Sequence, residues 1–84
     1  MGAIPLILDL LQEHGMNNAE VAVHGAGAIR NLIIDQPTNR TMAIHGKALP
    51  LLSKLFSAWK GNKRVQDQIS GAIGYLEDGG DGVH

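Results

Sequence analysis

The apolar residues near the start of the chain recur at the spacing of an α-helix. Within residues 4–14 one helical face carries Leu6, Ile7, Leu10 and Leu11. Pro5 suits the first turn of such a helix, where its missing N–H is not needed. Residues 49–59 repeat the pattern behind Pro50, with apolar positions at Leu51, Leu52, Leu55, Phe56 and Trp59. The spacing predicts a helix over each of these segments, with Trp59 packing in the core or between the two halves.

Two longer segments, 18–34 and 65–77, are also predicted to be helices. Their matching apolar stripes are Val21, Gly25, Ala28, Ile29 and Leu32 in the first, and Val65, Ile69, Ala72, Ile73 and Leu76 in the second. A glycine inside a helix costs about 1 kcal/mol relative to alanine. The glycines at positions 25, 27, 71 and 74 therefore predict places where helices approach closely, and Gly71 in particular is expected to meet a neighbouring group.

A short helix is predicted between these segments. Pro37 interrupts the second helical pattern, Asn39 suits an N-cap, and Gly46 suits the end of a helix over residues 40–45. The segments 15–18 and 61–63 contain glycine and asparagine and are predicted to be turns. Residues 79–84 are rich in glycine and are expected to form a flexible tail.

The chain also repeats itself. Residues 3–18 pair with 48–63, and 20–32 with 64–76, with 10 identities in 29 positions, where roughly two would be expected by chance. A period in the mid-forties is typical of stacked helical repeats, which present a long surface to partners. We therefore divide the chain into a first repeat over 1–36, a second over 37–78 and a tail, and expect binding rather than catalysis.

The repeated motifs resemble those of the armadillo repeat family. Residues 39–52, NRTMAIHGKALPLL, are similar to a stretch of the armadillo consensus, and residues 27–32, GAIRNL, are similar to its third-helix signature. The resemblance covers residues 3–77. It implies an all-α, right-handed superhelix of about two repeats, the first without its initial short helix. HEAT repeats are the alternative, and since a HEAT unit has two helices, the short helix after Pro37 discriminates between them.

The resemblance also implies a binding groove lined by the third helices. In the family an asparagine of the third helix bonds the backbone of an extended peptide, and Asn31 occupies that position. The same face carries Glu20, His24 and Gly27, and in the second repeat Arg64, Gln68, Gly71 and Tyr75. Tyr75 replaces the second asparagine, and glycines stand where nuclear-import receptors of the family carry tryptophan. The pattern is therefore more similar to the catenin and vacuolar-anchor members.

Charge favours a protein partner over a nucleic acid. The net charge is −1, which argues against binding of a phosphate backbone. Five basic residues nevertheless stand between positions 47 and 64 with no acidic residue among them: Lys47, Lys54, Lys60, Lys63 and Arg64. A solvated helix face explains this run most simply, and attraction of an acidic partner segment is the alternative.

No residue pattern indicates an enzyme, a metal site or a cofactor. The four histidines do not occur at metal-binding spacings, the chain has no cysteine, and no glycine-rich loop follows a predicted strand. A hydrolase that uses a histidine and a carboxylate is the competing class of function. No apolar run is long enough to span a membrane, and no signal peptide is recognisable, so we expect an intracellular protein, cytoplasmic or nuclear.

The ends of such a stack raise the question of self-association. No helix precedes the stripe of Leu6, Ile7, Leu10 and Leu11, and no repeat follows Ile73 and Leu76. We therefore expect either a homodimer or a fragment of a longer array. In the latter case the chain would be a structural segment whose binding surface lies in other repeats.

Overall fold

The computed structural model describes residues 3–78, and the regular structure in that range is entirely helical. The five helices are α1 (Ala3–His14), α2 (Ala19–Asp35), α3 (Thr38–His45), α4 (Ala48–Ala58) and α5 (Lys63–Asp78). The all-α class is thus confirmed for these residues, while the tail over 79–84 lies outside them. None of the described helices combines the length and the apolar character that crossing a membrane requires.

The helix ends follow local signals, with one exception. Asn18 caps α2 through its side-chain oxygen, which accepts from the backbone N–H of Glu20 at 3.0 Å and of Val21 at 3.3 Å. Gly46 ends α3 as expected. Asn39, however, is not an N-cap, because the chain is already helical at Pro37 and α3 begins at Thr38.

The amide of Asn39 has a different role. Its Nδ2 donates to the carbonyl of Leu32 at 2.8 Å. That carbonyl belongs to the last turn of α2 and also accepts from the backbone N–H of Gln36 at 2.9 Å. Asn39 therefore fastens the end of α2 to the first turn of α3.

The helix pairs that share sequence motifs pack in corresponding ways. By the repeat alignment, α1 corresponds to α4 and α2 corresponds to α5. The most extensive contact is between α2 and α5, while α1 packs on α2 and α4 packs on α5. The short α3 contacts all four other helices. The two halves are thus joined mainly through α2 and α5.

The core of α1 differs from the predicted stripe. Ile4, Leu8 and Leu11 are buried, whereas Leu6 is 58% and Leu10 46% exposed. The apolar residues of α1 wrap around more of the helix than its neighbours cover, since α1 contacts α2 on one side and α3 on another. The face that carries Leu6 and Leu10 is left to solvent.

The buried residues of α5 follow the predicted apolar stripe more closely than those of α2 do. In α5 the predicted positions Val65, Ile69, Ala72 and Leu76 are fully buried. In α2 the predicted Val21, Ala28 and Leu32 are only half-buried. Gly25 and Ile29 of the predicted stripe are buried, and Ala22 and Ala26, which lie outside the stripe, are fully buried as well. Because α2 has α1, α3 and α5 as neighbours, its covered face is broader than the predicted stripe and only partly coincides with it.

The far end of α5 is also better covered than expected. No following repeat was expected to cover Leu76, yet its exposure is 0%. Arg40 of α3 lies across this end, with Nε donating to the carbonyl of Leu76 at 2.7 Å and Nη2 donating to that of Glu77 at 3.2 Å. The end of α5 is therefore held by α3, and only half-buried Ile73 retains the predicted partial exposure.

Close approach explains some of the helical glycines. A Cβ atom built on Gly25 would lie 2.6 Å from Cδ2 of Leu11, a side chain that is completely buried. One built on Gly71 would lie 3.3 Å from Nη1 of Arg30, which confirms the predicted contact there. Gly74 has no atom within 4 Å of such a Cβ, so the prediction is wrong at that position.

Trp59 joins the two halves of the molecule. Its Nε1–H donates to the carbonyl of Gly15 at 2.6 Å. Gly15 follows α1 and Trp59 follows α4, so the bond ties the ends of the corresponding helices. The expectation that Trp59 packs between repeats is confirmed.

Candidate binding face on helices α2 and α5

The neighbouring helices α2 and α5 carry all eight residues that the sequence singles out for binding. Four lie in α2 at the spacing i, i+4, i+7 and i+11, and four lie in α5 at the same spacing. We call this set the α2/α5 face: Glu20, His24, Gly27, Asn31, Arg64, Gln68, Gly71 and Tyr75. The packing of α2 against α5 brings several of them into direct contact.

An ion pair stands at the beginning of the α2/α5 face. Arg64 Nη1 donates to Glu20 Oε2 at 2.7 Å, and Nη2 donates to Oε1 at 3.3 Å. His24 Nε2 lies 3.0 Å from the same Oε1. The hydrogen bond from Arg64 lowers the pKa of Glu20, its positive charge lowers it further, and His24 adds a smaller effect in the same direction. The Glu20 carboxylate in turn raises the pKa of Arg64.

The pKa of Glu20 offers a direct test of this ion pair. We expect carboxyl carbon NMR to show Glu20 titrating below the ordinary value of 4.5, and Arg64→Gln to return it towards that value. Because the folded-state pKa is lowered, the pair stabilises the fold above the unfolded-state pKa, and this contribution disappears as the pH falls through the folded-state pKa. Lys63→Gln is the matched control, since Lys63 pairs with Asp67 instead. An unchanged Glu20 titration in Arg64→Gln would contradict the pairing.

Farther along, small residues of one helix receive long side chains of the other. A Cβ built on Gly27 would lie 3.3 Å from Oε1 of Gln68. The next contact is between Gly71 and Arg30. Arg30 is half-buried across Gly71. Sequence reasoning missed its place on this surface, although a glycine on the adjacent helix was the available signal.

Four polar side chains on or beside this face have no internal partner. Asn31 is exposed, while Arg30, Gln68 and Tyr75 are half-buried. Among the side chains of residues 3–77, none of these four takes part in a hydrogen bond. Tyr75 instead packs against the core with its ring. The face thus presents hydrogen-bond donors and acceptors that are free to contact a ligand.

The basic run is partly neutralised. Lys63 Nζ lies 2.8 Å from Asp67 Oδ2, and Arg64 pairs with Glu20. The carboxylate of Asp67 raises the pKa of Lys63. The run therefore does not form a continuous positive patch. Its attraction for an acidic partner depends on the basic residues that form no ion pair.

Two concavities lie away from the α2/α5 contact. A groove of about 440 Å³ between α1 and α4 is flanked by Asp9, Lys47 and Lys54 above a floor that includes Leu8 and Leu55. A cavity of about 310 Å³ opens on the outer side of α1 and α2. In the part of the chain that the structure describes, no three His, Asp or Glu side chains cluster closely enough to hold a metal ion.

The arrangement is a surface of polar and small residues on two neighbouring helices. Such a surface can bind a partner through hydrogen bonds and shape. Comparison of the chain with protein-family models, with curated proteins and with solved structures gives no match in any of the three.

Proposed function

We propose that this chain is a protein-interaction module of the armadillo type that binds an extended peptide or partner segment along the α2/α5 face, without catalysis. The observation that carries the proposal is the row of unpartnered polar side chains beside the α2–α5 contact: Arg30, Asn31, Gln68 and Tyr75. An extended peptide has unpaired backbone N–H and C=O groups, which such a row can satisfy.

Asn31 is the best placed of these groups. Its side-chain amide has a carbonyl acceptor and an NH₂ donor, so it can bond to both the N–H and the C=O groups of a peptide backbone. It is exposed on α2, four residues beyond Gly27, where the absence of a side chain keeps the surface low. A peptide backbone can therefore approach this part of the face closely.

Charge favours a segment with an acidic residue near Arg30. Arg64 and Lys63 already have carboxylate partners, but Arg30 has none among residues 3–77. A carboxylate from the partner would supply a charge-assisted hydrogen bond, which is stronger than a neutral one. Measured affinity should accordingly fall as salt concentration rises.

The short helix α3 supports the armadillo type over the HEAT type. A HEAT unit has two helices, whereas the second half of this chain contains α3, α4 and α5. The alternative function is that of a structural segment, with no ligand on the α2/α5 face. That alternative predicts no selective peptide binding.

Selection from an unbiased displayed peptide library tests the proposal. For a selected peptide, Asn31→Ala should weaken binding by about 2- to 13-fold, the equivalent of a hydrogen bond that contributes about 0.5–1.5 kcal/mol. Asn17→Ala is the matched control, because Asn17 is also exposed but lies in the turn before α2. Fluorescence polarisation gives both affinities.

Equal affinities for wild type, Asn31→Ala and Asn17→Ala would show that Asn31 is not a peptide contact. Failure to select any binder would favour the structural-segment alternative. Circular dichroism of both variants should match the wild type, because neither side chain is buried.

A further inference from the structure

The internal repeat provides a template for the uncovered side of α1 and α2. The apolar residues that line the outer cavity are Ile7, Leu10, Val21, Gly25 and Ala28. Their equivalents in the second half are Leu52, Leu55, Val65, Ile69 and Ala72, and each of these five has an exposure of 0%. The second half thus packs this surface against the first half, whereas the first half leaves its own corresponding surface uncovered. We call this surface the open face.

The opposite end of the molecule is built differently. Four buried apolar residues of the first half correspond to polar residues in the second: Leu8 to Ser53, Ala22 to Gln66, Val23 to Asp67, and Ala26 to Ser70. Of these polar residues, Ser53, Asp67 and Ser70 are exposed. The outer side of the second half is therefore a polar end of the kind that terminates a helical stack.

This polarity decides which surface of a second copy fits the open face. Stacking the open face on the polar end would bury Ser53, Ser70 and the ion pair of Asp67 with Lys63 against leucine, and taking such charges out of water is costly. Pairing two open faces buries apolar residues on both sides. It also gives a closed two-fold contact instead of an open filament.

We propose that two copies of this chain associate head to head through their open faces. Leu10, at the rim of the cavity, and Leu6, one turn earlier on α1, have 46% and 58% of their surfaces exposed. The cavity is lined by the small residues Gly25 and Ala28. At the position that corresponds to Gly25 the second half carries the larger Ile69, while Ala28 corresponds to another alanine, Ala72. Each copy therefore offers both protruding leucines and a recess of about 310 Å³ to receive them.

Charge does not oppose this pairing. The one carboxylate among the described residues that line the cavity is that of Glu20, and His24 lies beside it. The charge of Glu20 is already compensated by Arg64 within the same copy. A stable interface takes about 600–800 Å² from each partner, which is roughly an eighth to a sixth of the 4913 Å² that one copy exposes.

Sedimentation equilibrium between about 1 and 500 µM tests the proposal, a range that spans ordinary dimer affinities. The wild type should reach twice the chain mass of 8.9 kDa and no more. Leu10→Glu should raise the dimer dissociation constant at least about 100-fold, because each copy would bury an unpaired carboxylate. Ile34→Glu is the matched control, since Ile34 is 54% exposed and does not line the cavity.

Dilution monitored by amide NMR distinguishes the two modes of stacking. Head-to-head pairing should shift the signals of Leu6, Leu10 and Ala28 and leave those of Ser53 and Ser70 in place. Shifts of both sets, or masses that keep growing with concentration, would overturn the proposal in favour of head-to-tail stacking. A monomer throughout the concentration range, or equal effects of Leu10→Glu and Ile34→Glu, would also overturn it.

The peptide test and the association test remain separable. Asn31→Ala alters the α2/α5 face and should leave the dimer mass unchanged, because Asn31 does not line the open face. A second variant, Leu6→Glu, checks that the effect of Leu10→Glu is not local. Circular dichroism should show that Leu6→Glu and Leu10→Glu are as helical as the wild type in dilute solution, since both leucines are solvent-exposed in a single copy.

Discussion

Replacing Leu11 with alanine should lower the free energy of unfolding by about 2–5 kcal/mol, the usual cost of removing a fully buried leucine side chain. Leu11 has an exposure of 0%, and its Cδ2 lies 2.6 Å from the position that a Cβ on Gly25 would occupy. The helix α2 therefore approaches α1 at Gly25 so closely that the Leu11 side chain fills the space where a Cβ would stand. Since small domains are stable by only about 5–15 kcal/mol, the variant loses a large part of its margin.

Leu6→Ala is the matched control on the same helix. Leu6 is 58% exposed, so its truncation should cost well under the buried value, about 0.5 kcal/mol or less for a surface substitution. Urea denaturation followed by circular dichroism measures both, at dilutions where the chain is monomeric. Similar losses for Leu6→Ala and Leu11→Ala would contradict the division of α1 into a buried and an open side.

Replacing Arg40 with methionine should destabilise the molecule by about 1.5–3 kcal/mol, the range for hydrogen bonds made by a charged donor. Arg40 donates to the carbonyls of Leu76 and Glu77 at 2.7 and 3.2 Å. These carbonyls belong to the last turn of α5, which has no further intrahelical donors. The positive charge also suits the negative end of the helix dipole. Methionine retains most of the apolar stem but removes every donor.

Arg30→Met provides the control, because Arg30 is also half-buried but rests against Gly71 without the carbonyl contacts that Arg40 makes. It should cost less than Arg40→Met. Amide hydrogen exchange adds a local measurement, since the last turn of α5 should lose protection in Arg40→Met alone. Unchanged protection there would show that Arg40 does not hold the end of α5.

The two proposed surfaces meet at one place. Glu20 and His24 belong to the α2/α5 face and also line the open face. The ion pair with Arg64 holds the Glu20 side chain at the boundary between the two surfaces. Variants of Glu20 therefore alter both surfaces, which is why Asn31 and Leu10 are the better test positions for peptide binding and self-association.

The sequence by itself determined the number and approximate limits of the helices in residues 3–78. These features depend on signals within one turn of the chain: apolar spacing, the cap at Asn18, and the glycine that follows α3. The internal repeat also indicated that α2 and α5 occupy corresponding places. Glu20 and Arg64 stand at corresponding positions of these two helices and form an ion pair. The all-α class followed directly from this local information.

The tertiary structure alone decided which apolar residues are covered and which polar ones are engaged. Leu6 and Leu11 are equally apolar and lie on one predicted stripe, yet only Leu11 meets α2. Arg40 reaches carbonyls 36 and 37 residues away along the chain, and Asn39 turns from a predicted cap into a bond to α2. Burial and long-range hydrogen bonding depend on the neighbours that a helix acquires in three dimensions, and the periodicity of a single helix contains no information about those neighbours.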